Sequence, residues 1–595
     1  MSAAHQPSTG INGGYEIPDE YRGAADAALE VLLDSALEPI VDMVLVHRDG
    51  NYEALAHDGS VTFRRDGSGG YDTLATSGTN PLADQGDDKY VGLASEHADK
   101  HPLRSNNQYP HAFDHIAQLF DAAATPDLCV IHSARHNWED QGGHLGEHGS
   151  LGITQARAPF IIGGKGVRNL GLAPKSMRLV DVAPTVAALM GCPELAPGRY
   201  LTTQDGEARL DVLDGATPPT HIIGFRFDGT NPNVLYDMAA RGEAPNVARL
   251  IEMGVGFEHG AISSLPTITL ANHTTILTGA HPGHHGILNN AWYDRAQGKQ
   301  IITNSSATWP WAMDMLNDGI DSMHTAIKRA YPKAFCVSIN EPCDTGADYS
   351  TFDFFRRGEV PPIPLRADDL PHTTERFVRP SKDYSWSSVI DHMATEQAVG
   401  IWSGKYRDES YQKPTFCWVN FTLTDAAMHE GGPHSEMAAA AVRDSDGRVG
   451  DILEAIEKAG AFDDCAFMLM ADHGMQESDP TCRGDWGVAL KDAGVQVRDE
   501  AYSFMYFGVE GQGAAYYLSR RTQPHPVVPQ KPSKPPDRGT THGPAHPTPP
   551  GGPTKAEQTA RSWDRRGVSS RLPRGRGHAV ARVGRRVCDR QIARR

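Results

Sequence analysis

FCWVNFTLTDAAMHEGGPHSE, residues 416–436, opens with an apolar run, Phe416–Phe421, interrupted only by Asn420. A strand with one face in water alternates apolar and polar residues. This one does not, which predicts burial on both faces, as in a parallel sheet between helical layers. AFMLMADHGM, residues 466–475, repeats the pattern. Further strand candidates are Met43–His47, Leu128–Ile131, Phe160–Ile162 and His221–Phe227. Helical patterns intervene: Val442, Val449, Ile452, Leu453 and Ile456 recur at helical spacing, with Gly460 placed to end the helix, and Ala28–Leu37 is another such stretch. This alternation predicts an α/β fold with a mainly parallel central sheet and helices on both faces. Residues 291–411 are less regular and aromatic-rich (NNAWYD, TWPWAM, DYSTFDFFRRG) and are expected to form a cap insertion over the sheet.

Composition narrows the function. The net charge of −18 over 595 residues argues against nucleic acid as a specific partner, because phosphate backbones select basic faces. It does not argue against a small phosphorylated substrate, since a metal site supplies positive charge locally. Residues 1–14 are polar, without the apolar core of a secretory signal, and are expected to be disordered. No stretch has the roughly 18 apolar residues of a membrane span. None of the eight cysteines forms a C-x-x-C pair, and several lie in apolar runs, so a reducing cytoplasm is the expected compartment. Residues 521–595 carry 17 Lys and Arg against 4 Asp and Glu and are rich in Pro and Gly. They are expected to be a disordered basic tail, or an out-of-frame reading of a GC-rich gene.

Chemistry concentrates where strands end, which is where open α/β sheets bind ligands. HIIGFRFDGT (221–230) ends at Asp228. In SSLPTITLANHTTILTGAHPGHHGI (263–287), Thr269 is expected just before a helix beginning near Ala271, where the N-terminal N–H groups favour an anion. After Phe421, Asp425 and His429 stand at i, i+4, one helical turn apart. After the 466–471 strand come Asp472 and His473. Each taken singly is explained by a turn or a cap. Together, hard carboxylates and imidazoles at several strand ends are what a two-metal site requires.

The ordered set Asp228, Thr269 in TITLANH, Asp425-x-x-x-His429 and ADHG resembles the nucleotide pyrophosphatase/phosphodiesterase branch of the alkaline phosphatase superfamily, over about residues 220–508. That resemblance implies an alkaline phosphatase-like fold and two divalent ions, Zn²⁺ or alternatively Mn²⁺ or Fe²⁺. It implies one ion held by Asp228, Asp472 and His473 with the nucleophile Thr269, the other by Asp425 and His429, and Asn272 donating to a phosphoryl oxygen. The family pattern asks for one more histidine downstream of ADHG. Downstream lies only the unpatterned tail, with His542 in TTHGPAH. GGHLGEHGSLGITQARAPFIIGGKGV (142–167) and MRLVDVAPTVAALMGC (177–192) resemble the superfamily's C-terminal stretch instead. They offer His148 as the missing ligand and His144 as runner-up, with His132 and His136 read as a polar loop beside the site. The halves of the fold are thus expected in permuted order, the C-terminal half at 15–215 and the N-terminal half at 216–520.

The implied activity is hydrolysis of a small phosphodiester or nucleotide through a phosphothreonine. A phosphonoacetate-type phosphonate hydrolase and a phosphomonoesterase are the alternatives within the superfamily, and a non-catalytic metal-binding remnant is the alternative outside it. Oligomeric state is left open.

Overall fold

The computed structural model describes residues 14–138, 144–305, 307–359, 382–501 and 503–509. The expected N-terminal arm through residue 13, the basic tail from 521, and residues 360–381 of the expected cap lie outside the described residues. Among those described, no helix is long and apolar enough to cross a membrane, and seven cysteines are buried and free.

The central sheet has eight strands: β1 (Phe160–Gly164), β2 (Gly171–Ala173), β3 (His221–Phe227), β4 (Gly254–Phe257), β5 (Cys336–Ile339), β6 (Tyr349–Ser350), β7 (Phe416–Phe421) and β8 (Cys465–Met470). Their order is β6-β5-β7-β3-β8-β1-β4-β2. The stretch β6-β5-β7-β3-β8 is parallel throughout, and β1 lies antiparallel to both β8 and β4. The expected α/β class and mainly parallel sheet are what the chain adopts.

Two-residue alternation separates the faces, and both are apolar. Ile223, Phe225 and Phe227 of β3, Cys417 and Val419 of β7, and Phe467 and Leu469 of β8 face one core. It is closed by the helices Pro232–Ala240, Pro245–Glu252, α2 (Lys382–Trp402) and α4 (Glu436–Lys458). Phe416, Trp418, Ala466, Met468 and Met470 face the other, covered by Val182–Leu189, Met323–Ala330 and α1 (Thr269–Thr278). Gly224 is required by close approach: a side chain there would run into the Trp418 ring on the neighbouring strand.

Two expectations need correction. Met43–His47 and Leu128–Ile131 are strands, but not of this sheet. They belong to a second, seven-stranded antiparallel sheet that also takes Arg498–Glu500 and Phe504–Tyr506 from the far end of the described chain. The signal was present: Asp49-Gly50 joins two strands as a two-residue turn with positive φ at both positions (54° and 71°), the twist a hairpin needs. Residues 291–411, in turn, are not only a cover. They contribute β5 and β6 to the edge of the central sheet, and α2 packs against the helices behind β7.

Residues before and after 216 are locked together by partly buried charge. His284 Nδ1 bonds to Asp205 (2.7 Å) and Nε2 to Asp121 (2.8 Å), and Arg65 clamps the same Asp121. Burial opposes a charge on His284, but Asp205 and Asp121 outweigh it and push its pKa up to about 10. A raised folded-state value means the folded chain holds a proton the unfolded chain releases. The contribution is complete below the ordinary value of about 6.5, declines above it, and is gone once the pH passes about 10. His284→Gln is expected to cost about 2 kcal/mol at pH 6 and to flatten the alkaline fall in stability, as measured by denaturant melts across pH 6–10.

Candidate active site

The register of β7, β3 and β8 brings three strand ends to one edge. Asp228 follows β3, Asp472 and His473 follow β8, and β7 runs into α3 (Leu423–Gly431), which carries Asp425 and His429 one turn apart. Gly229 takes φ +60°, and a Cβ on it would collide with the Asp425 carboxylate; its N–H donates to Asp472 Oδ1 at 3.1 Å. Thr424 Oγ1 donates to the Asp228 carbonyl at 2.7 Å, tying α3 to the end of β3.

Thr269 is the first residue of α1, not a residue ahead of a helix starting near Ala271. Its Oγ1 lies 3.5 Å from His473 Nε2. The hydroxyl therefore stands where the helix's unpaired first-turn N–H groups and positive dipole end meet the strand-end cluster.

The predicted ligands converge. Donor atoms of His148, Asp425 and His429 lie within 4.8 Å of one another, as do those of Asp228, Asp425 and His473. His148 Nε2 is 4.0 Å from Asp425 Oδ1, and its ring stacks on His473 at 3.7 Å between centroids. His144 instead groups with Glu147 and His429, away from Asp425.

Two observations bear on whether a metal fits. His148, His429 and His473 each direct Nδ1 at a backbone carbonyl, of Thr267 (2.9 Å), Gly146 (2.7 Å) and Gly474 (2.9 Å) respectively. This fixes the tautomer and leaves each Nε2 facing the cluster, as in metal-binding histidines. Asp228 Oδ1, Asp425 Oδ1 and Asp472 Oδ2 are buried with no hydrogen-bond donor among the described residues. Burial, with Asp472 close by, pushes the Asp228 carboxyl up to about 6, and burial, with a smaller push from Asp472 and against the pull of His473 and His273, raises Asp425 to about 6. Burial also lowers His429 to about 4 and holds His148 well below its ordinary value, so both imidazoles are neutral at pH 7, as metal binding would require. The donor set is chemically right for one or two divalent ions.

One neighbour had no assigned role in the sequence reading. His273, in the same TITLANH segment, is buried with Nε2 3.3 Å from Asp228 Oδ2 and 3.4 Å from Asp472 Oδ2. Its Nδ1 is 3.4 Å from Glu341, which pairs with the equally buried Arg226 at 2.6 Å. Burial and Arg226 disfavour charge on His273, yet Glu341, Asp228 and Asp472 push it up to about 10. It counterbalances the carboxylates from behind. The sequence hint was its position, one turn after Thr269 on the same helix.

Asn272 does not have the expected role. Its side chain is fully buried and spent on the loop leading to Thr269. Oδ1 accepts from Ser264 N (2.8 Å), and Nδ2 donates to the carbonyls of Ser264, Pro266 and Ile268 (3.1, 2.9 and 3.2 Å). One amide replacing a missing ladder for the turn leaves no donor for a phosphoryl oxygen. Asn272→Ala is accordingly expected to lower stability by about 2–3 kcal/mol through the stranded backbone groups, visible as a drop in Tm of the metal-free protein. A residue touching substrate would lower turnover and leave Tm alone. His132 and His136 are likewise not in a polar loop. Both are buried against Trp138, and His136 also against Trp486.

A strand-end cluster of carboxylates and imidazoles beside a hydroxyl at a helix N-terminus is an arrangement that could hold divalent ions next to a nucleophile. The sequence model of the type I phosphodiesterase/nucleotide pyrophosphatase family matches residues 222–533, over half the chain, and the chain belongs to that family. It is 38% identical over 93 residues to an uncharacterised pyrophosphatase/phosphodiesterase of Schizosaccharomyces pombe, covering 15% of this chain and 18% of that protein. It is 24% identical over 312 residues to human ectonucleotide pyrophosphatase/phosphodiesterase family member 1, covering 49% of this chain and 29% of that one. These matches span less than a third of either relative's length. Among solved structures, phosphonoacetate hydrolase from Sinorhizobium meliloti, in complex with phosphonoformate, aligns at 19% identity and a TM-score of 0.27 over 43% of this chain and 57% of that one.

Proposed function

We propose that the chain is a metal-dependent hydrolase of small phosphodiesters or nucleotides that works through a covalent phosphothreonine at Thr269. The observation that carries this reading is the Thr269 hydroxyl at the first residue of α1, 3.5 Å from His473 and beside the cluster of buried carboxylates and imidazoles. Asp228, Asp472 and His473 with Thr269 would hold one ion, and Asp425, His429 and His148 the other. Two such ions, Zn²⁺ by donor type, would favour the ionised hydroxyl and neutralise phosphoryl charge.

The chain's own residues do the rest. Thr269 Oγ1 attacks phosphorus, forming a P–O bond as the bond to the leaving alcohol breaks. Water then attacks the same phosphorus, releases the monoester and restores the hydroxyl. The first-turn N–H groups of α1 face the charge that develops on the phosphoryl oxygens. His148, His429 and His473 are kept in orientation by the carbonyls their Nδ1 atoms bind.

The reversed order of the two halves belongs to the same reading. Residues ahead of the matched 222–533 segment supply β1, β2, His148 and the helix Val182–Leu189, which is what a permuted C-terminal half would supply. The seven buried, unpaired cysteines support a reducing compartment.

The test is chelation followed by Zn²⁺ titration, with hydrolysis of an aryl phosphodiester, an aryl phosphomonoester and phosphonoacetate in parallel. Two ions per chain and fastest turnover of the diester support the reading. Fastest turnover of the monoester or phosphonate replaces the substrate, and no bound metal with no turnover overturns the enzyme reading.

A further inference from the structure

The helix that brings Asp425 and His429 to the site has no cap of its own. Thr422, at the N-cap position of α3, lies in helical backbone conformation (φ −103°, ψ −10°) and makes no side-chain cap bond. Its hydroxyl points away, donating to Asp391 at 3.1 Å. Asp391 belongs to α2, the helix that closes the insertion, and is fully buried. Its two carboxylate oxygens divide the exposed helix end between them: Oδ1 accepts from Thr422 N at 2.7 Å and Oδ2 from Leu423 N at 3.0 Å. The cap is thus supplied by another helix, and a carboxyl group whose pKa burial pushes up to about 7 sits against the N-terminal end of α3.

We propose that Asp391 is a positioning residue for the Asp425–His429–His148 metal group, a role that rests on the two-metal reading above. Asp425 comes two residues after Leu423, in the turn that Asp391 fixes, and His429 one turn later. Tilting or fraying of that first turn moves both donors together. Asp228, Asp472 and His473 follow β3 and β8 and are not on α3, so the larger effect falls on the Asp425–His429–His148 group, although Thr424 and Asp425 also touch the other. The carboxylate is itself held in place. Arg448 of α4 attracts it electrostatically while bonding to Asp444 (2.9 Å) and to Ser388 Oγ (3.0 Å), one turn before Asp391 on α2. The insertion therefore contributes to the site from behind, by bracing a ligand-bearing helix.

The experiment is Zn²⁺ titration of the full chain against a competing chelator, for wild type, Asp391→Asn and Asp391→Ala, with thermal melts of the metal-free proteins. Expected is a loss of roughly 10–100-fold in affinity for one ion and a clearly smaller loss for the other. D391N, which keeps the volume and one accepting oxygen, should fall between wild type and D391A. D391N carries the test if D391A is recovered unfolded. Two ions bound as tightly by a folded variant as by wild type overturns the proposal, and so does equal weakening of both. Wild type binding fewer than two ions defeats the underlying two-metal reading, a result distinguishable from either.

Discussion

Thr269→Ala is expected to lower phosphodiester turnover by about 10³-fold or more, with metal stoichiometry unchanged. The local sequence holds five threonines between 267 and 278, and the hydrogen bonds separate them. Thr267 donates to Ser150 O, Thr274 to Leu270 O, Thr275 to Ala271 O and Thr278 to Thr274 O, at 2.7–3.0 Å. Each of these hydroxyls is committed to the backbone. The Thr269 hydroxyl meets His473 Nε2 at 3.5 Å instead. Thr269→Ser keeps a hydroxyl at the same helix position, primary in place of secondary, and should retain turnover within about tenfold. Acid-stable radiolabel from a phosphorus-labelled diester should appear on wild type and not on T269A. A T269A chain that turns over at wild-type rate with both ions bound would remove Thr269 from the nucleophile role.

His148→Ala is the second large effect. It should reduce bound metal from two ions to one per chain and cost more turnover than the roughly 10–100-fold typical of losing an outer partner. The geometry argues for a double loss. His148 Nε2 faces Asp425, while its Nδ1 holds the carbonyl of Thr267, two residues before Thr269. Gly149 N and Ser150 O hold the Thr267 hydroxyl from the same segment. Removing the imidazole removes a metal donor and loosens the nucleophile's loop together. His542→Ala serves as the contrast, since His542 lies outside the described residues and is the alternative ligand from the downstream position. Two ions in H148A and one in H542A would reverse the assignment and remove the case for permutation.

The sequence by itself determined the parts whose signal is local. Apolar runs at Phe416–Phe421, broken only by Asn420, and at Ala466–Met470 are legible because a strand buried on both faces does not alternate polar with apolar residues. Asp425 and His429 are legible because one helical turn fixes their spacing. Tertiary structure decided what depends on partners far along the chain. Asn272 reads as a polar side chain beside a nucleophile, and only the fold of residues 264–268 around it shows its amide consumed by backbone. His273 looks like an ordinary helical residue until Asp228, Asp472 and Glu341, brought from three other segments, surround it. Met43–His47 and Leu128–Ile131 carry strand propensity but no information about which sheet they join, because pairing is a long-range choice. Asp391 sits some thirty residues from the helix end it caps, with no sequence pattern linking the two. The scattered donors around Thr269 are a property of residue type. That His148, from well before the others in the chain, belongs with Asp425 follows in the sequence only from the resemblance of residues 142–167, and the fold sets the 4.0 Å between them.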